Sequence, residues 1–292
     1  MCVTDERPPR VRRVARLSVS EVETTIQGVT SLGDRIYVVC HRSNVIAVFT
    51  SHQPFRRLQD IVVHGLLYAT DIAASASTSC LYVSDLRSDS VWRVNVDSGA
   101  VVQWLSGVAA RAVSVTSEGR IVVVVPIDFQ RHDHGRSTWR GEVHVCSPEA
   151  VTEAIVKLSP DITSPRSVVV TTRKTFVVSH GFRKHEMHRV CEVDMTGRVL
   201  KSFGSTPGNG IGQLRIPASV SLDDKERVIV ADFGNNRVLL LNKQLTSPSV
   251  LATWRPQSDD DTRRPMSLHY DSHTGSLLVG LRRGHIDIYK LN

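Results

Sequence analysis

Long apolar runs are missing from this 292-residue chain, in which no window approaches the roughly 20 uninterrupted apolar residues that a membrane-crossing helix needs. The opening Met1-Cys2-Val3-Thr4-Asp5-Glu6-Arg7, followed by prolines and arginines, holds no apolar signal core. Both absences set the expectation of a soluble, cytoplasmic protein with no membrane partner. Cysteine is sparse. Cys2, Cys40, Cys80, Cys146 and Cys191 are odd in number, far apart and never in a Cys-x-x-Cys pair, which argues against a zinc finger and for buried thiols rather than disulfides. Neither a Gly-x-Ser-x-Gly elbow nor a phosphate loop occurs.

What the chain does have is repetition. Six short β-rich apolar runs recur: Ile36-Tyr37-Val38-Val39, Leu81-Tyr82-Val83-Ser84, Ile121-Val122-Val123-Val124, Thr175-Phe176-Val177-Val178, Val228-Ile229-Val230-Ala231 and Leu277-Leu278-Val279-Gly280. They start 40 to 54 residues apart, a period that signals a toroid of small sheets. Each has an apolar strand before it, around Val29, Ile72, Val113, Val168, Val220 and Leu268, and a third strand after it. The runs are continuously apolar rather than alternating, as strands covered on both faces should be.

These spacings predict an all-β fold, a six-bladed β-propeller. The sixth unit stops at Ile286-Asp287-Ile288-Tyr289-Lys290 without a fourth strand, and Val11-Arg12-Arg13-Val14-Ala15-Arg16-Leu17 has the character of the missing one. The N-terminal strand is therefore expected to close the last blade, which removes exposed edges. Residues 1–10 are read as a flexible arm and 11–292 as the propeller, expected to be monomeric.

The fifth unit carries Gly208, Gly210 and Gly212, then Pro217, Ala231-Asp232 and Asn236-Arg237-Val238. In these residues the chain resembles the NHL-repeat family of six-bladed propellers, with weaker agreement in the second and fourth units. The resemblance implies a non-catalytic interaction platform, as in the C-terminal domain of tripartite-motif proteins, where the propeller recruits substrates or RNA for a ubiquitin ligase. The RING and B-box zinc modules of those proteins are not in this sequence.

The net charge of +7 is concentrated in three places: the arm from Asp5 to Arg16, the segment Phe129–Arg140 and the segment Phe182–Arg189. The last two fall between second and third strands of blades three and four, so they should be loops on one face. Arg111 and Arg166, just ahead of the first strands of those blades, should point into the same sector, as should Phe233, Asn235 and Arg237. The expected partner site is thus Arg111, Arg131, His132, His134, Arg136, Trp139, Arg140, Arg166, Phe182, Arg183, Lys184, His185, Phe233, Asn235 and Arg237. Arginines interleaved with Trp139, Phe182 and Phe233 suit single-stranded RNA or a protein or peptide partner, while solvated loops of this composition also arise with no ligand at all. The acidic run Ser258-Asp259-Asp260-Asp261 would repel phosphate near blade six.

The alternative is a metal-dependent propeller enzyme, a lyase or a lactonase- or esterase-like hydrolase, with its site at the central channel. His41, Asp85, His180 and Asp232 stand at the ends of second strands and are the residues to suspect. Their order around the ring gives no compact ligand set, and His185-Glu186-Met187-His188 lacks the four-residue spacing of a helical zinc motif. No metal, cofactor or catalytic residue is therefore expected.

Overall fold

In a computed structural model, residues 9–19, 24–132, 136–254 and 263–291 are described. They form six four-stranded antiparallel sheets in a ring. Blade one holds β2 (Ile26–Leu32), β3 (Arg35–Cys40), β4 (Val45–Thr50) and β5 (Ile61–Val62). Blade two holds β6 (Ala69–Ser75), β7 (Cys80–Asp85), β8 (Ser90–Asn95) and β9 (Val101–Ser106). Blade three holds β10 (Ala112–Val115), β11 (Ile121–His132), β12 (Arg136–Cys146) and β13 (Thr152–Lys157). Blade four holds β14 (Pro165–Val170), β15 (Phe176–His180), β16 (His188–Val193) and β17 (Val199–Ser205). Blade five holds β18 (Pro217–Leu222), β19 (Val228–Asp232), β20 (Arg237–Leu241) and β21 (Ser249–Thr253). Blade six holds β22 (Pro265–Asp271), β23 (Ser276–Leu281) and β24 (His285–Leu291), with β1 (Val11–Ser18) as its fourth strand.

The repeated apolar runs are the second strands, and β7, β15, β19 and β23 are buried at every residue. The reason is lateral. Six apolar clusters each straddle two adjacent blades, such as Leu81 and Val83 with Tyr37 and Val39, or Ile229 and Ala231 with Leu277 and Val279. A fully buried Val, Leu or Ile contributes about 1.5–3 kcal/mol, so each second strand is stabilised mainly by its neighbours. Trp104 and Trp254 lie in the same seams. Trp104 packs edge-on against Tyr82 at 5.0 Å and donates Nε1–H to the Pro148 carbonyl at 2.7 Å.

Closure follows the expected route. β1 runs antiparallel to β24 from Val11 opposite Leu291 to Ser18 opposite His285. Asp287, fully buried, holds the junction. Arg16 donates Nε–H and Nη2–H to its two oxygens at 2.6 and 2.7 Å, and Trp254 Nε1–H donates at 3.0 Å. Burial pushes the Asp287 carboxyl up, but the Arg16 and Trp254 hydrogen bonds outweigh it and hold the group below its ordinary value. The clasp thus ties the first strand, the last strand and the end of blade five together.

One element differs from expectation. The segment Phe129–Arg140, read as a loop, is the end of a long hairpin in which Gln130, Arg131 and His132 pair with Thr138, Ser137 and Arg136. Its strands continue β11 and β12 beyond the body of the blade. The side chains of residues 128–138, and residue His134 entirely, lie outside the described residues, as do residues 1–8 of the predicted arm and the acidic run near 260.

Replacing Arg16 with alanine removes two charge-assisted hydrogen bonds from a buried carboxylate that keeps Trp254 and the Arg13 guanidinium at 3.6 Å, and is expected to cost about 1.5–3 kcal/mol in urea unfolding. The contribution is present above the unfolded carboxylate range and is lost as the pH falls through the lowered Asp287 value. The difference between wild type and R16A should therefore narrow in acid, and an equal difference at all pH would show the clasp to be non-ionic.

Candidate active site at the channel mouth

The first strands β2, β6, β14, β18 and β22 each begin with a register shift against the second strand. The extra residue of a bulge is left unpaired and is re-aimed. Here the lifted residues are Gln27, Thr70, Arg166, Ala218 and Met266. Arg111 occupies the same position in blade three, just ahead of β10. These six, one per blade, surround a water-sized cavity of about 20 Å³ at one end of the central channel, with Asp71, Ser167 and Ser219 completing its wall. The channel below it encloses about 210 Å³.

The next residue along the first strand ties blade to blade in blades two, four, five and six. Ser167, Ser219 and Ser267 accept the amide N–H of Val220, Leu268 and Val29 in the following blade, at 3.3, 3.1 and 3.0 Å. In blade two an aspartate stands where these blades have serine. Asp71 Oδ2 accepts the Val113 N–H at 3.2 Å, and Oδ1 accepts the Ile72 N–H at 2.9 Å. The second bond has a specific origin: blade one has Gly28 at this position, whose backbone lies so close to Ile72 that a Cβ would fall 2.6 Å from its nitrogen. Asp71 therefore ties blade two to blade three through Val113 and satisfies, within its own blade, the Ile72 amide that Gly28 has no side chain to reach.

The carboxyl also changes the electrostatics of the mouth. Burial pushes Asp71 up to about 7, against the pull of the Ile72 and Val113 amides and of the Arg111 guanidinium. Arg111 is lowered by its own burial, opposed by Tyr68 and Asp71. Arg166 is lowered to about 9 by burial and by the like charge of Arg111, and its Nε is buried without a hydrogen-bond partner. At the rim, Gln27 Nε2 lies 3.2 Å from His41 Nδ1, and the His41 ring meets Tyr68 edge-on at 4.5 Å. Burial holds His41 below its ordinary value, helped by Arg42.

The predicted partner residues divide. Arg111 and Arg166 reach the mouth together, as their shared sector implied. Phe182 is 42% exposed, with the Arg166 and Arg183 guanidiniums 5.2 and 5.1 Å from its ring centre. Lys184 and His185 are exposed on the same connection. Arg140 is exposed and Trp139 half-buried, on β12. Phe233 lies under the guanidinium of Arg264 at 5.3 Å. Arg237 Nε–H donates to Asp232 at 2.7 Å, and Asn235 Nδ2–H donates to Asp232 and the Gly208 carbonyl while Asn235 also lines a groove between blades four and five.

The residues suspected for metal chemistry do not assemble. Asp85 accepts the amides of Leu67, Tyr68, Arg87 and Ser88. Asp232 accepts the Arg215 amide at 2.7 Å besides its side-chain partners. His180 is wholly buried and lowered to about 3 by that burial and by Arg189. In His185-Glu186-Met187-His188, Glu186 accepts the Phe182 and Arg183 amides and the Ser164 hydroxyl. His188 is locked between the Ile216 amide and the Arg183 carbonyl. Among the described residues no three His, Cys, Asp or Glu side chains converge as metal ligands, so these residues do not fit a bound metal. Asp71, the mouth's distinctive group, was missed in the sequence; its signal was an aspartate at a position where blades four, five and six carry serine.

No family model matches this chain, and no curated protein does. Solved structures do. The ring is similar to that of propeller lyases. Selenomethionine-substituted virginiamycin B lyase from Staphylococcus aureus matches with a TM-score of 0.65 at 10% identity, over 97% of this chain and 100% of that one. A catalytically inactive histidine-to-alanine form of the Staphylococcus aureus lyase, with Quinupristin, matches with the same score, identity and coverage. A streptogramin B lyase structure matches with a TM-score of 0.66 at 10% identity, over 98% of each chain.

The likeness corrects the expectation of a non-catalytic platform. That expectation came from the company NHL propellers keep in tripartite-motif proteins, whereas these nearly full-length matches are enzymes. The ubiquitin-ligase role attached to it has no support from them.

The Arg111–Asp71 coupling gives a direct check. Because the Arg111 charge draws Asp71 down, Arg111→Ala should move the Asp71 carboxyl further up, as read by carbon-13 NMR titration. An unmoved value would separate the two groups.

Proposed function

We propose that this chain is a propeller enzyme of the lyase type, working at the channel mouth on a substrate with an acidic proton next to a carbonyl. One observation carries the reading: a carboxyl raised to about 7 feels the Arg111 guanidinium at the mouth, and Arg166, with a buried, unpartnered Nε, lines the same cavity beside Arg111. The likeness in fold to lyases supports it. The blades are taken as NHL-type repeats on the residues of blade five.

The chemistry follows from the charges. A base with a value near neutral is half ionised at working pH, which is the condition for efficient proton abstraction. Asp71 takes the proton α to the carbonyl. The released electron pair forms a carbon–carbon double bond, the β-carbon–oxygen bond breaks, and the leaving oxygen keeps its electron pair. Negative charge gathers on the carbonyl oxygen during the step, and Arg111 and Arg166, half-buried at the mouth, supply the positive charge that stabilises it. The Ile72 and Val113 amides fix the Asp71 carboxylate without neutralising it.

The test is incubation with a panel of esters carrying such a proton, Quinupristin among them, followed by ultraviolet absorbance and mass spectrometry. The expected product has a conjugated double bond and no added water; a hydrolysed product, or none across the panel, overturns the reading. Asp71→Asn should lower the rate about 10²–10⁴-fold, and Arg166→Ala about 10²–10³-fold. The rate should rise with pH through about 7 and level off above it, since only ionised Asp71 accepts the proton.

A further inference from the structure

Two ways of holding an arginine matter for the surface around the mouth. Arg16, Arg189, Arg227 and Arg237 are each joined to an aspartate within 2.7 Å. On the mouth side, Arg166 and Arg264 instead lie over the faces of Phe182 and Phe233, and the Nε of each is buried without a partner. An aromatic face orients a guanidinium but leaves its charge in place, so Arg166 and Arg264 keep their positive charge on this surface.

Beside these residues a groove of about 520 Å³ runs between blades four and five, within the size range of small-molecule sites. Phe182, Lys184, Arg215, Asn209 and Pro207 line it, and no carboxylate does. Arg215 and Lys184 are exposed and make no side-chain hydrogen bond or ion pair among the described residues. Arg264 is lowered by burial and then by the charges of Arg282 and Arg215, which places Arg215 beside it. Phe182 joins the groove to the mouth, because Arg166 lies at the mouth and over its ring.

We propose that this groove is a second anion subsite, taking a carboxylate or phosphate group attached to a flat unsaturated or aromatic part of the substrate. Lys184 and Arg215 supply the charge, and Phe182 and Pro207 the apolar wall. The inference rests on the reading of the mouth as a catalytic site, and it makes the substrate an anion held at two points: the reacting carbonyl at Arg111 and Arg166, and the charged group in the groove.

The test is isothermal titration of the full chain with benzoate and, in parallel, phenyl phosphate, which distinguishes the two anion types. Two equivalents are expected to bind at low salt, one in the groove and one over the mouth, where only its anionic group reaches the water-sized cavity. Lys184→Ala with Arg215→Ala should remove the groove equivalent or weaken it about tenfold or more, while the mouth equivalent stays. Arg166→Ala should weaken the mouth equivalent. Arg215→Gln, which keeps the stem and removes the charge, controls for lost packing and should also weaken the groove equivalent. A single equivalent lost with Arg166, no binding at low salt, or an unchanged groove equivalent in the double variant overturns the subsite. Binding is read without turnover, so a chain that binds two anions yet eliminates nothing keeps the subsite and loses the reaction. A chain that eliminates from neutral esters and ignores the groove variants does the reverse.

Discussion

Everything in this ring depends on the seam between the first and last strands of the chain. Each blade is a small sheet whose second strand is covered only by its neighbours, so an open ring would leave the strands on either side of the break bare. β1 prevents that by pairing with β24, and the pairing is fastened by the buried Asp287 under Arg16 and Trp254. A buried carboxylate is costly unless its lone pairs are engaged. Asp287 is engaged from both sides of the junction, which makes the correct register the cheap one.

The site grows out of the same geometry. A bulge at the head of the first strands lifts one residue per blade into the mouth, and the following residue reaches across to hold the next blade. Serine is enough for that bond. Where blade two has aspartate, partly because Gly28 brings its backbone against Ile72, the structural bond comes with a charge. Arg111 and Arg166 then face that charge in a confined space. A position that elsewhere serves only cohesion becomes chemically active here because the residue is ionisable and its exposure to water is small.

The asymmetry of charge on the mouth side has a similar cause. Aspartates hold arginines in the body of the protein, where they fix strands and loops: Asp232 with Arg237, Asp223 with Arg227. Arg166 and Arg264 lie over phenylalanines instead, even though the Asp232–Arg237 pair stands close to Phe233. The first arrangement consumes charge to build structure, and the second spends aromatic surface to keep charge available to a ligand.

Much of the fold was legible in the linear order of residues. The six apolar runs and the missing outer strand of blade six determined the blade number and the route of closure, because burial on both faces and pairing of every edge are demands the pattern must satisfy locally. Arg111 and Arg166 were legible as neighbours for the same reason: they stand at equivalent places in adjacent repeats. The tertiary structure alone decided the rest. Arg237 stood in the expected partner site but is bound to Asp232, and His188 stood in an expected loop but is a buried brace between the Ile216 amide and the Arg183 carbonyl. Asp71 drew no reading from the sequence. Its role depends on Gly28 and Arg111, both about 40 residues away in other blades, and on the loss of water around it. Repeat spacing determines which blade a residue belongs to, while only the closed ring determines which charges meet where water cannot screen them.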